Sequence, residues 1–466
     1  MRQTPEQFFG RIKDKKVYFV GIGVTNTDTI KMFLSRGIDV TACDKRSRDE
    51  LGAVCNSLEK QGARLLLGEY YPTDFAGADI LFRTPGMYFH QLQLEEFRKK
   101  GGILTSEMEV FFDLCPCPTF AVTGSDGKTT TTTLISEMLK AAEHTTHIGG
   151  NIGKALLPIV GDIQPSDVVA VELSSFQLIS MRPSPDISVI TNITPNHLDV
   201  HSGMDEYVAA KGNILTHQNA FSRTVLGADN ELSASFAPFV RGELMTFSLK
   251  GEVANGAFLD SDGNIRVSRR GQIGSPIMHR SEILLPGIHN IANYLAAICA
   301  TLDYADPQDI RKVATQFGGV EHRIEFVAEI DGVRWYNDSI ATSPTRAIAG
   351  LGCFEKKITL LAGGYDKNLS FDPLVPHIIE KVSMLILSGP TASKIEQAVT
   401  SAEQYSPGNP KILWADNLEQ AVEIAKDNTK SGDIVSLSPA CASFDAYPNF
   451  EARGRHFKEL IRGMQK

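Results

Sequence analysis

The chain has 466 residues, about three times the length of an ordinary domain of ~150 residues. An apolar fraction of 42% and a charged fraction of 22% are those of a globular protein, which argues against disorder and rod-like folds. The net charge of −9 supplies no general positive field for nucleic acid or an anionic membrane, so any bound phosphate must be held by local geometry.

No apolar run reaches the ~18 residues of a membrane span. The stretch from Met1 to Lys16 is polar, and Val17–Val24 runs directly into Thr25-Asn26-Thr27-Asp28, so no signal peptide is expected. Seven cysteines, an odd number, are too few for a disulfide scaffold. Free thiols in a reducing cytoplasm are the expectation, Cys115 and Cys117 included.

The expected fold is α/β in three domains. A Rossmann-like domain spans 1–107, a central P-loop ATPase-like domain with a mainly parallel sheet spans 108–319, and a second Rossmann-like domain spans 320–466. In the first, the strand Lys16–Gly23 is followed by a helix over Thr25–Ser35 and a strand over Ile38–Cys43 ending at Asp44. This is the βαβ order of a nucleotide-binding half-domain. Its glycine fingerprint is partial, because Asn26 stands at the third glycine position, and a turn without a ligand is the plainer reading. A strand is expected over Ala78–Phe82 and a helix over Leu92–Lys100.

The strongest signal follows. A strand over Thr119–Val122 leads into Thr123-Gly-Ser-Asp-Gly-Lys-Thr-Thr130 and a helix over Thr131–Ala142. Gly124, Gly127, Lys128 and Thr129 supply the parts of a phosphate loop: free backbone amides, a lysine for phosphate and a hydroxyl for Mg²⁺. Val122 replaces the usual first glycine. Strands over Val168–Leu173 and Ile187–Ile193 place Glu172, His197 and Asp199 near strand ends, and a helix over Met204–Leu215 carries Tyr207 and Lys211. Alone, each has a plain reading as a cap, a loop residue or a solvated face. Beyond a phosphate loop they favour a Mg²⁺ site. A β-rich part (Arg223–Ile283), a helix over Ile288–Leu302 and a linker over Gln316–Glu321 lead to the last domain. There, strands are expected over Ile324–Ile330, Val333–Tyr336, Ile358–Leu361, Ser383–Leu387 and Asp433–Leu437. Helices are expected over Thr391–Thr400, Leu418–Lys426 and Phe450–Met464.

Six motifs, in order, resemble those of the Mur ligase family: Thr123–Thr130, Gly149-Gly-Asn-Ile-Gly153, Glu172-Leu-Ser-Ser-Phe-Gln177, His197 to Lys211, His322-Arg323 and Asn337-Asp-Ser339. The stretch Ser438–Phe457 is similar to that of the D-glutamate-adding members. The Asp-Asn-Pro-Arg box of diaminopimelate-adding members is absent. So is the His-His-Pro-Thr-Glu stretch of alanine-adding ones, where Thr342-Ser-Pro-Thr-Arg346 stands.

The resemblance implies ATP-driven amide bond formation through an acyl phosphate, with UDP-N-acetylmuramoyl-L-alanine and D-glutamate as substrates, in a cytoplasmic monomer. It implies Lys128, His197 and Lys211 as catalytic residues. ATP would meet Gly124, Ser125, Asp126, Gly127, Lys128, Thr129, Thr130, Asn290, Asn293, Arg323 and Asp338. Thr129 and Glu172 would hold one Mg²⁺, with His197 and Lys211 serving a second (Mn²⁺ is an alternative), and Lys211 would carry a CO₂-derived carbamate. The uridine-linked substrate would meet Val24, Thr25, Asn26, Lys45, Arg46, Thr84, Gly86, Asn151, Ser174 and His197. Glutamate would meet Thr342, Lys367, Ser443, Phe444 and Phe450. Ile340 departs from the family's lysine, and Arg346 is the candidate replacement. Competing readings are an L-glutamate-adding or folylpolyglutamate synthase-like ligase, a regulatory nucleotide-binding protein, and a dehydrogenase resting on Gly21-Ile-Gly23 alone.

Overall fold

A computed structural model of the chain describes residues 3–198 and 200–464, the side chains of Val24 and Thr25 excepted. Asp199 therefore lies outside the described residues. The chain divides into two compact units, one of residues 1–280 with 292–313 and one of residues 281–291 with 314–466.

The first unit holds two sheets. Strands β1 (Lys16–Val20), β2 (Asp39–Asp44), β3 (Arg64–Leu67), β4 (Ile80–Phe82) and β5 (Ile103–Thr105) form a parallel sheet in the order β3-β2-β1-β4-β5. The second sheet contains β6 (Thr119–Thr123), β7 (Thr146–Gly150), β8 (Val168–Glu172), β9 (Ile187–Ile190), β10 (Arg223–Gly227), β11 (Glu243–Ser248), β12 (Gly256–Leu259), β13 (Asn264–Arg269) and β14 (Gln272–Ile273). Their order is β14-β13-β12-β11-β10-β9-β6-β8-β7, and β15 (Met278–His279) pairs with β13. From β7 to β12 the pairing is parallel, and it turns antiparallel at β13. Every residue of β6, β8 and β9 is buried, as expected for strands covered on both faces. One apolar cluster runs from Phe8 and Phe33 through Phe82 and Phe111 to Leu178 and Leu226, so the two sheets share a core.

In the second unit, β16 (Glu325–Ile330) and β17 (Val333–Asn337) form an antiparallel hairpin. β18 (Ile358–Ala362), β19 (Val382–Leu387), β20 (Lys411–Trp414) and β21 (Ile434–Leu437) extend it in parallel, in the order β16-β17-β21-β18-β19-β20. Successive strand residues point to opposite faces. Leu360 and Leu385 pack with Ala347, Ile378 and Ile395 on one face, while Leu361, Ile386 and Val435 pack with Val422, Phe457 and Ile461 on the other. Helices therefore cover both faces, the doubly wound arrangement.

The three mainly parallel sheets agree with the expected fold class. The differences lie at the edges. Strands β3, β5, β7 and β20 have no counterpart in the sequence reading, and each sits at the edge of its sheet, where half-exposed residues dilute the hydrophobic pattern. The polar beginning also hides a helix, Pro5–Ile12. Thr4 and Gln7 close it with a capping box, and Phe8, Phe9 and Ile12 are buried. The helix after the phosphate loop begins at Lys128 rather than Thr131.

The helix Glu107–Leu114 buries two acids in its first turn. Glu107 Oε1 accepts the Leu157 amide at 2.8 Å, and burial pushes its carboxyl up to about 7. A raised pKa means that the folded state holds the proton longer. Glu107 thus favours folding at low pH, and that contribution is lost as pH rises from its unfolded value through about 7. Glu107→Gln keeps the acceptor without the charge. Its stability relative to wild type, followed by urea unfolding, is expected to improve by roughly 2–3 kcal/mol between about pH 4 and pH 8. A pH-independent difference would refute this account.

Candidate active site

Thr123 ends β6, and residues 124–127 turn the chain into the helix Lys128–Ala141. Two glycines are sterically required. At Gly124 (φ +152°) a Cβ would lie 1.8 Å from Thr191 Oγ1, and at Gly127 (φ +77°) it would lie 2.3 Å from Asn293 Oδ1. The two residues that follow the neighbouring strand β9 fix the loop from outside. Thr191 Oγ1 donates to the Asp126 carbonyl at 2.7 Å, Asn192 Oδ1 accepts the Asp126 amide at 2.9 Å, and the Asn192 carbonyl accepts the Ser125 amide at 2.8 Å. Gly127 offers the helix no side-chain cap, so its first-turn amides face the loop as donors for an anion. Lys128 folds back, its Nζ donating to the Ser125 carbonyl at 2.9 Å. Thr129 and Thr130 lie half-buried in the first turn.

Glu172 closes β8, two strands from β9, and is 2% exposed. Its Oε1 accepts the Asn151 side-chain amide at 2.7 Å, while Oε2 is buried without a hydrogen-bond partner among the described residues. A buried carboxylate oxygen left in this way suits a hard divalent cation. Among the described residues no three His, Cys, Asp or Glu side chains converge, so such a cation would complete its shell with the Thr129 hydroxyl, water or phosphate. The donor set fits Mg²⁺.

Lys211, on the helix Met204–Thr216, is 1% exposed. Its Nζ donates to the Gly124 carbonyl at 2.7 Å and lies 4.6 Å above the Tyr207 ring centroid. Burial, and then the Lys128 charge, push its pKa down to about 7. Tyr207 Oη meets Ser125 Oγ at 2.9 Å, which ties this helix to the phosphate loop. His197 is exposed, has a positive φ of 55° and packs edge-on against Phe176 at 5.0 Å. Ser174 caps the short helix Ser175–Leu178 through a capping box with Gln177.

Asn26, Thr84 and Asn151 line one cavity of about 160 Å³, together with Arg83, Glu107 and Gln177. The Asn26 amide donates to the carbonyls of Val20 and Gly21 at 3.2 and 2.9 Å, so it braces the turn at the position of the fingerprint's third glycine. Arg46 forms a fork on Asp44 (3.0 and 2.8 Å) and also donates to the Ile22 carbonyl. Half of its side chain is exposed. Lys45 lies 5.7 Å above the Tyr71 ring, and Gly86 is exposed. Val24 and Thr25 open the helix Val24–Ser35.

In the second unit, the loops after β17, β18 and β21 meet at the carboxyl ends of their strands, where doubly wound folds bind ligands. Arg453, 5% exposed and not among the site residues expected from the sequence, joins two of them. It donates to Ser339 Oγ and the Ser339 carbonyl (both 3.0 Å) and to the carbonyls of Cys441 (3.0 Å) and Ala442 (3.1 Å). Tyr365 pairs with Ala442, and Ser339 Oγ donates to the Phe450 carbonyl at 2.8 Å. These contacts bring together the segments that carry Thr342, Lys367, Ser443, Phe444 and Phe450. Ser443 is buried, whereas Lys367 and Phe444 are exposed. Asp338 is buried and pushed up to about 7, although Ser438 Oγ donates to it at 2.7 Å. Arg323 is exposed, and the buried Asn290 donates to the Pro286 carbonyl at 2.6 Å. Arg346 Nη1 donates to the Ile340 carbonyl at 3.2 Å, which puts a guanidinium beside the apolar departure.

Comparisons with known proteins bear on this geometry. A family profile described as the Mur ligase middle domain matches residues 122–301, and one described as the Mur ligase, glutamate ligase domain matches residues 322–441. A protein of Acetivibrio thermocellus named UDP-N-acetylmuramoylalanine–D-glutamate ligase is 48% identical over 467 residues, covering 100% of each chain. One of Clostridium botulinum (strain Okra) with the same name is 44% identical over 464 residues, also covering 100% of each. Among solved structures, a UDP-N-acetylmuramate-alanine ligase of Thermotoga maritima superposes with a TM-score of 0.57 at 17% identity, covering 96% of this chain and 99% of that one. That likeness is one of fold; the family rests on the sequence matches. Together with the phosphate loop, the chain-long identity settles the assignment: the chain belongs to the Mur ligase family.

Proposed function

We propose that this chain is an ATP-dependent ligase that joins D-glutamate to UDP-N-acetylmuramoyl-L-alanine, forming ADP and phosphate, as a cytoplasmic step in peptidoglycan precursor synthesis. The identity of 48% along the whole chain to a ligase of that name carries the reading. The phosphate loop and the buried Glu172 oxygen that has no hydrogen-bond partner among the described residues support it.

A carboxylate does not accept an amine until one of its oxygens becomes a leaving group. Its attack on the γ-phosphate of ATP brings two anions together, and cations must offset that charge. Lys128 and the first-turn amides of its helix orient the phosphates, and His197 is exposed where a substrate carboxylate can reach it. Thr129, Glu172, His197 and a carbamylated Lys211 would hold Mg²⁺, which when bound withdraws charge from the phosphate oxygens. The buried Lys211 amine favours the neutral form that CO₂ modifies, and a carbamate replaces a nitrogen donor with the oxygens that Mg²⁺ prefers. Asn26, Thr84 and Asn151 would hold the uridine-linked substrate, with Lys45 and Arg46 at its diphosphate. Lys367, Thr342, Ser443 and Phe450 would hold glutamate, with Arg346 supplying the charge that Ile340 lacks.

Phosphate release from ATP is expected only when both the muramoyl substrate and D-glutamate are present. Release with L-glutamate alone, or without the muramoyl substrate, would reject the reading. Lys211→Ala is expected to be nearly inactive and to regain part of its activity with acetate but not with small amines. Rescue by amines alone would remove the carbamate. Lys367→Ala and Arg346→Ala are each expected to raise the KM for glutamate on the order of tenfold, the effect of losing one charge-assisted contact, and to leave the KM for ATP nearly unchanged. A change in the ATP parameter instead would move these residues out of the glutamate site.

A further inference from the structure

His201 has no role in the site described so far, yet it is among its most constrained side chains. The ring is fully buried, and both nitrogens are engaged: Nδ1 with Glu206 Oε2 at 3.0 Å and Nε2 with Ser175 Oγ at 2.9 Å. One face stacks on Phe176 at 5.1 Å with planes only 4° apart, and Tyr207 approaches at 5.4 Å. Phe176 is the ring against which His197 packs, and Tyr207 lies under the Lys211 amine. The imidazole therefore touches both aromatic side chains that seat the two proposed catalytic residues of this region.

Glu206 is also engaged on several sides. It accepts the Tyr88 hydroxyl at 2.6 Å and the Ser202 amide at 2.9 Å, besides facing His201. Tyr88 stands two residues after Gly86, in the segment proposed to hold the uridine-linked substrate. Arg83, at the start of that segment, donates to the Phe176 carbonyl at 2.6 Å and to Ser180 Oγ at 2.9 Å. The Thr84–Gly86 loop is thus flanked by Arg83, which hydrogen-bonds the Phe176 carbonyl, and by Tyr88, which reaches the Phe176 ring through Glu206 and His201.

We infer that His201 is a positioning residue for this ligase, fixing Phe176, and through it His197, with Glu206 and Tyr88 holding its ring in register with the Thr84–Gly86 loop. The inference rests on the ligase reading above. Its effect lies in the geometry of the reacting groups rather than in ATP affinity, since the partners of His201 named above are Glu206, Ser175, Phe176 and Tyr207, and its link to the phosphate loop runs only indirectly, through Tyr207.

The test compares His201→Ala, His201→Asn, Tyr88→Phe and the His201→Ala/Tyr88→Phe double variant with wild type. Phosphate release dependent on the muramoyl substrate gives kcat and KM, and thermal unfolding is followed separately. His201→Ala is expected to lose on the order of a hundredfold in kcat, the usual consequence of misplacing a reacting group by about 1 Å, with the KM for ATP within about twofold of wild type. His201→Asn, whose amide can still donate to Glu206, should recover part of that loss. Tyr88→Phe should lose less, and adding it to His201→Ala should cost nothing more, because both act on one ring. Because Tyr88→Phe removes a single hydroxyl, it keeps the test decisive where His201→Ala does not fold. Wild-type kcat in Tyr88→Phe and His201→Asn would overturn the inference, as would losses of kcat that track a general fall in melting temperature. An inactive wild type would refute the ligase reading and this inference with it.

Discussion

Lys211 places an amine where an ammonium is poorly tolerated, and the central site is arranged around that amine. The side chain is almost fully buried, and burial and the Lys128 charge outweigh the pull of Asp126 and Glu172 and push its pKa down to about 7. Desolvation of an unpaired charge is costly, so the equilibrium moves toward the neutral amine. Besides the Thr123 hydroxyl at 3.5 Å, the Gly124 carbonyl and the Tyr207 face contact the nitrogen. Both belong to structures that must be rigid for another reason: Gly124 to the phosphate loop, and Tyr207 to the hydrogen bond that anchors that loop through Ser125.

The loop's own geometry follows from β9 lying next to β6. A phosphate loop must leave the amides at its helix end unfilled, so it cannot stabilise itself with them. Thr191 and Asn192 supply the missing restraint, binding the outer carbonyls and amides and leaving the helix end open. Glu172 shows the same division of labour. One oxygen is held by Asn151, and the other has no hydrogen-bond partner among the described residues, a costly arrangement in a folded protein unless a cation completes it.

The second unit solves a similar problem with the opposite charge. Arg453 is buried with its guanidinium spread over three backbone carbonyls and the Ser339 hydroxyl, so its fork of N–H groups acts as a template for the loops after β17 and β21. Asp338 sits nearby in a site dry enough to hold its proton to about 7. In both units, buried charges organise loops at the carboxyl ends of parallel strands, where backbone pairing has ended and side chains must set the conformation.

Local order made much of this readable from the chain alone. The phosphate loop, the central strands and the amphipathic helices are written in short stretches, because glycine φ requirements and burial on both faces act within a few residues. The same holds for Glu172 at the end of β8, whose position follows from the strand itself. What sequence alone left out has a common cause. The edge strands β3, β5, β7 and β20 exist because a neighbour offers free backbone groups, and half-exposed residues carry little pattern of their own. His201, Asn192 and Arg453 take their contacts from partners up to 114 residues away, such as Ser339 for Arg453. A histidine, an asparagine or an arginine in a loop or helix looks the same whether it is solvated or buried. Sequence determined which chemistry the chain carries; tertiary packing decided which of its polar side chains are desolvated, and desolvation is what turns a hydrogen bond into a constraint on geometry.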